Sequence, residues 1–169
     1  MNSDELRNLQ APLKEKYRKE PESAVITLKA SGRLGEGISC SVETGQRLAK
    51  AGLHPATGGD GFHVCSGDLL LEALVACAGV TLNAVATAIG VDIKSGTVHA
   101  EGDLDFKGTL GVSKESHVGF KSIRVSFDLD CDADEETKKT LLKLTERYCV
   151  VLQTIVSATQ VNSMITTSS

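Results

Sequence analysis

The side chains with most scope for chemistry in this chain of 169 residues are five cysteines, at positions 40, 65, 77, 131 and 149. The number is odd and no Cys-x-x-Cys pair occurs, so neither a secreted disulfide framework nor a zinc ribbon is indicated. They read as free thiols in a reducing compartment. A cysteine is reactive as its thiolate, and at an ordinary pKa of about 8.5 most of it is protonated at neutral pH. For any one of them the plain reading is a small buried hydrophobe. Two have unusual surroundings. Cys77 lies inside the most apolar stretch, in Glu72-Ala-Leu-Val-Ala-Cys77-Ala-Gly-Val-Thr-Leu82, and Cys149 lies at the end of an amphipathic stretch, in Thr145-Glu-Arg-Tyr-Cys149-Val-Val-Leu-Gln-Thr-Ile155.

Other constellations carry less. His54, His63 and Cys65 share one loop as imaginable metal ligands, but a fourth ligand and a second pair at conventional spacing are missing. Gly58, Gly59 and Gly61 are followed by no Gly-Lys-Ser/Thr and make no phosphate loop. Eighteen Lys and Arg against twenty-two Asp and Glu leave a net charge of −4, and aromatics are 4% with no Trp. That disfavours phosphate backbones and base-stacking platforms, so no nucleic-acid partner is expected. The first ten residues hold no apolar run and read as neither secretory signal nor transit peptide, which points to a cytoplasmic address.

The elements that would position the two cysteines follow from periodicity. Asp4 to Arg18 reads as a helix, with Leu6, Leu9, Leu13 and Tyr17 on one face and Pro12 expected to kink or split it. Ser23 to Leu28 reads as a strand, Gly32-Arg-Leu-Gly35 as a turn and Gly37 to Val42 as the partner strand, followed by a glycine-rich loop to Gly61. Leu69 to Ile89 is apolar nearly all round. Glu72, Thr81, Asn83 and Thr87 within it argue against a membrane span, so it reads as a central helix whose burial is completed by a second subunit. Asp92 to Phe106 and His117 to Leu129 alternate as strands, with Ile123, Val125, Phe127 and Leu129 on one face. Asp132 to about Cys149 opens with acidic residues and reads as a second helix, and Val161 to Thr166 as a closing edge strand.

This order of elements, with Leu-x-Ala-Cys-x-x-x-Thr-Leu on the long helix and Glu-Arg-Tyr-Cys ending the second, resembles the OsmC/Ohr family of thiol-dependent hydroperoxide reductases from roughly Ser23 to the C-terminus. The resemblance implies an α+β fold for residues 23–169, with 1–22 as an N-terminal helical extension. It implies an intertwined homodimer whose strongly bent antiparallel sheets wrap long central helices, with the sites at the subunit interface. Cys77 matches the family's nucleophile and Cys149 its resolving cysteine; Arg33 stands where the family keeps an activating arginine. Cys65 is left between an additional thiol near that site and a buried small residue, and Cys40 and Cys131 read as structural.

The reaction implied is reduction of an organic hydroperoxide to an alcohol, through a sulfenic acid at Cys77 and a disulfide with Cys149. No bound cofactor is expected. The disulfide would be reduced by an external dithiol, lipoyl or a small thiol. Two departures stand out: Gly67 occupies the position of the family's arginine-holding carboxylate in the Ohr register, with Asp68 one residue later either orienting Arg33 or only favouring the helix N-terminus as a first-turn acid, and Val150 replaces the proline after the second cysteine. Two other readings are a non-catalytic member of the fold that binds a small hydrophobic molecule at the dimer interface, and a thiol redox sensor.

Overall fold

The computed structural model describes residues 3–34, 40–42, 51–62 and 64–165. Helix α1, Ser3–Lys19, runs through Pro12 without a break. The expected split does not occur because α1 is held by contacts beyond its own backbone ladder. The Tyr17 hydroxyl donates to the Ala56 carbonyl at 2.6 Å and Gln10 Nε2 to the Thr57 carbonyl at 3.3 Å. Tyr17 also packs with Ala24, Phe106 and Leu110 in a small cluster joined by Leu13.

A 3-10 turn, Pro21–Ala24, leads into β1, Val25–Leu34, so the first strand begins two residues later and runs six residues further than the sequence suggested. Gly32 and Arg33 are strand, not turn, because β1 is paired on both sides there, and Leu34 continues it paired with Cys40. Arg33 faces Ser41 of β2, Cys40–Val42, and Thr97 of β5, Ile93–Asp105. Two-sided pairing satisfies the backbone donors that a lone turn signal would leave to water. Gly35 and Gly37 lie outside the described residues. The strand β6, Phe120–Cys131, completes an antiparallel sheet of order β2-β1-β5-β6.

The loop expected up to Gly61 holds two short elements. Strand β3, Ala51–Gly52, pairs in parallel with β4, Val64–Cys65, and a 3-10 turn occupies Pro55–Thr57. Helix α2, Ser66–Ile89, packs across β1 and β5. It stops at Gly90, whose φ of +75° is the left-handed conformation glycine adopts without strain, and whose N–H returns to the Ala86 and Thr87 carbonyls. α2 is long and apolar enough to cross a membrane by length and composition, and half of its most apolar window is buried inside the fold.

The inward residues of β6 fulfil the alternation: Ile123, Val125 and Phe127 pack against Leu71, Leu74, Val75 and Ala78 of α2. After the four-residue α3, Phe106–Thr109, and β6 comes α4, Glu135–Tyr148, capped by Asp134, whose Oδ1 accepts the Thr137 N–H at 2.8 Å. A further short helix, α5, Val150–Val156, follows at once. Val161 to Ile165 form no strand, and Thr166 is outside the described residues. Among the described residues the sheet ends at β6, and this segment has no strand to pair with. Its Val161, Met164 and Ile165 are more than four-fifths exposed.

Candidate functional site

Cys77 and Cys149, far apart in sequence, belong to one apolar cluster with Leu71, Leu74, Val75, Ala78, Val98 and Ala100. Cys77 is half-buried on α2 and Cys149 fully buried; both are free thiols, as are Cys65 and Cys131. Cys149 is placed by two helices at once. It ends α4, its N–H donating to the Thr145 carbonyl at 2.9 Å, and it caps α5, its carbonyl accepting the Gln153 N–H at 2.8 Å. The Gln153 side chain then donates to the Glu146 carbonyl at 2.8 Å and ties the two helices together.

The thiols touch, and their surroundings separate them. Burial pushes the Cys77 thiol up, and this is the largest single influence. Hydrogen bonds from the Val151 N–H, the Cys149 thiol, the Thr81 hydroxyl and the Val150 N–H together outweigh it and hold Cys77 below its ordinary value. Burial pushes Cys149 up to about 11, with its contact to Cys77 adding to the shift and the Leu152 N–H only partly opposing it. One thiol is therefore prepared to ionise while its neighbour keeps a proton to donate.

Arg33 and Asp68 lie on β1 and in the first turn of α2. Arg33 is exposed on β1 and does not figure among the principal groups acting on Cys77. Asp68 is in the first turn of α2, nine residues before Cys77, or about 14 Å along a helix axis. Burial raises its pKa, with His54 acting in the opposite sense. Burial likewise lowers His54, against the pull of Asp68, and raises Glu72, to which Asp68 adds. His54 stacks on Phe106 at a ring-centroid distance of 5.0 Å and its Nδ1 accepts the Ala56 N–H at 3.0 Å. Among the described residues no three His, Cys, Asp or Glu side chains are grouped to hold a metal ion, and His63 lies outside them. Cys65 packs against the same apolar cluster as the pair, from the N-cap of α2.

Behind Cys149 lies a cavity of about 210 Å³ lined by Leu74, Ala78, Ile123, Phe127, Thr145 and Leu152, among others. Thr145 is buried and its Oγ1 has no hydrogen-bond partner. A neighbouring groove of about 450 Å³ continues between β6 and α4.

The backbone donors at Cys77 were not legible in the sequence, since an N–H leaves no trace in residue type. One clue was present. A proline at position 150 would carry no N–H, so the valine there supplies a donor that the family pattern lacks. Val150→Pro is accordingly a clean removal. Position 150 is the first residue of α5, where proline is tolerated, and Cys149 before it has φ −70 and ψ 106, in the extended region. The expected result is an intact far-ultraviolet spectrum with Cys77 ionising at higher pH, read from the pH dependence of its alkylation. An unchanged midpoint would remove Val150 from the donor set.

A mixed fold with one antiparallel sheet, a long apolar helix across it and a contacting pair of thiols defines a class of α+β thiol protein. The chain belongs to the OsmC-like protein family, whose model matches residues 58–164. Its fold is similar to that of an OsmC-like hydroperoxide resistance protein from Jannaschia sp. CCS1, with a TM-score of 0.59, 15% identity and coverage of 85% of this chain and 95% of that one. It is also similar to an OsmC-like protein from Mycoplasma pneumoniae, with a TM-score of 0.55, 16% identity and coverage of 79% and 86%. No curated protein matches the sequence.

Proposed function

We propose that this chain is a cysteine peroxidase that reduces organic hydroperoxides. The observation that carries the reading is the contact of two thiols with opposite pKa shifts in one apolar cluster. The Cys77 thiolate attacks the distal peroxide oxygen. The O–O bond breaks, the alkoxide leaves as an alcohol after taking a proton, and Cys77 becomes a sulfenic acid. The Cys149 sulfur then displaces hydroxide from it, which leaves as water, and a disulfide forms. An external dithiol returns both thiols and is itself oxidised to a disulfide. Hydroperoxides with an alkyl or aryl group suit the aliphatic lining beside the pair better than hydrogen peroxide does.

The same reading includes a homodimer. Leu70, Val80 and Ile89 of α2 are each more than a third exposed, and a second copy would cover them. It also includes a reducing, cytoplasmic setting in which a thiol donor is available. The test is intact mass of the reduced protein after one equivalent of cumene hydroperoxide. Loss of two hydrogens, mapping to a Cys77–Cys149 bridge, is the expected result. Thiols left unmodified would overturn the reading and favour a hydrophobic-ligand binder of the same fold.

A further inference from the structure

Threonines in helices commonly return their hydroxyl to the carbonyl four residues back. In this chain Thr87 does so to Asn83 at 2.8 Å, Thr140 to Glu136 at 3.0 Å and Thr154 to Val150 at 2.8 Å. Thr145 on α4 differs. It is 1% exposed, and its Oγ1 is enclosed without a hydrogen-bond partner. A buried hydroxyl left in that state lowers stability, and a valine of nearly the same shape would not carry the penalty.

Thr145 lines the cavity of about 210 Å³ behind Cys149. Most of the remaining wall is apolar, from Leu74 and Ala78 of α2, Ile123 and Phe127 of β6 and Leu152 of α5. An apolar cavity of about 150 Å³ already accepts benzene, so this one has room for a ring with a short branch. The groove between β6 and α4 leads to it: the two share Phe127 and Leu142, and Leu142 is 43% exposed. The charged residue in the lining, Glu146, is solvent-exposed and negative, which disfavours an anionic occupant.

We propose that this cavity is a binding site for a small neutral alcohol or phenol, whose ring or branched chain packs on the apolar wall and whose hydroxyl pairs with Thr145 Oγ1. Three observations set the class: the volume fixes the size, the wall requires an apolar body, and the unpaired hydroxyl selects a ligand with one of its own. A hydrocarbon of the same size would leave Thr145 unpaired. The site is built within one chain, and its occupant packs against the Cys149 thiol. Binding is a property of the reduced protein and needs no turnover. On the peroxidase reading, the alcohol left by reduction of a hydroperoxide is a ligand of this class.

The experiment titrates the reduced, methyl-labelled full chain with benzyl alcohol and with ethylbenzene, which is nearly the same shape without the hydroxyl. Saturable shifts of the Ile123 and Leu152 methyl resonances place the ligand in the cavity. Thr145→Val should weaken benzyl alcohol relative to ethylbenzene by roughly tenfold, the loss expected for one hydrogen bond in an enclosed site. Thr145→Ser should keep the parent ratio. Without ligand, the valine variant should melt above the parent, because a buried hydroxyl without a partner has been removed. If the valine variant does not fold, Thr145→Ala gives the same affinity ratio. The absence of saturable shifts at these methyls overturns the proposal, and so does a ratio that loss of the hydroxyl leaves unchanged. A valine variant that melts below the parent also overturns it, since the hydroxyl is then already satisfied. Disulfide formation with cumene hydroperoxide on the same samples keeps the two readings apart. Alcohol binding without any bridge sinks the peroxidase and leaves the site standing, and a bridge without alcohol binding sinks the site alone.

Discussion

Cys77→Ser is expected to abolish peroxide consumption in the presence of a dithiol, while Cys149→Ser, given peroxide with no dithiol present, consumes about one equivalent and then stalls with no disulfide formed, a contrast that follows from the roles in the thiol–disulfide cycle. The argument starts from nucleophilicity. A serine hydroxyl in place of Cys77 has no accessible anion at neutral pH, so the first step has no attacking group. With Cys149 replaced, the first step survives but the sulfenic acid has no thiol partner within the protein, which gains one oxygen atom; dimedone then forms a thioether at the Cys77 sulfur and the oxygen leaves as water. The pH dependence has a definite sign. The active form is the deprotonated one, so the peroxide rate rises with pH through the Cys77 midpoint, below the ordinary thiol value. It then levels off well before Cys149 loses its proton at about 11. Stopped-flow consumption of cumene hydroperoxide across the neutral range checks this, and a rate that falls as pH rises contradicts the assignment of Cys77 as nucleophile.

The parts of the fold written in side-chain pattern were readable in advance, and those written in backbone pairing were not. The apolar run of α2 and the alternation of β5 and β6 gave elements close to those observed, since burial on one face or all round selects residue type directly. Gly32-Arg-Leu-Gly35 looked like a turn because glycine is read locally. Pairing of Gly32 with Val98 and of Arg33 with Thr97 overrode that signal from residues more than sixty positions away. Helix α5 was missed for the opposite reason. Val150, Val151, Ile155 and Val156 are poor helix formers, and the seven residues are held by packing on the α2 cluster and by the Gln153 tie to Glu146. At the site the cysteine pair was visible as motif and spacing, and the Arg33–Asp68 expectation came with it. The structure puts Asp68 beside His54, while the groups that hold Cys77 below its ordinary value are the Cys149 thiol, the Thr81 hydroxyl and the Val150 and Val151 amides.

Leu74→Ala should cost about 3–4 kcal/mol of stability, which in a chain of this size lowers Tm by roughly 6–16 °C. Leu74 is fully buried, packs in the same cluster as Cys149 and lines the cavity behind it. Truncation therefore removes apolar contacts and enlarges a void that already stands open, which limits how far the neighbours can collapse into it. Leu141→Ala is the informative comparison. Leu141 is as deeply buried, but in a separate cluster with Leu82, Val85 and Ala86. Its loss of stability should be of the same order, yet Leu141 lies eight residues before Cys149 on α4 and its cluster contains neither cysteine of the pair. The two variants then divide by chemistry, not by melting temperature. Leu74→Ala loosens the wall that holds Cys149 against Cys77, so the bridge should form more slowly after peroxide is added, whereas Leu141→Ala should bridge at the parent rate at temperatures where both are folded. Equal bridging rates in the two would mean that α4 and α5 alone fix Cys149 and that the α2 wall contributes only to stability. Unequal rates place the packing of Leu74 among the causes that keep the two sulfurs in contact.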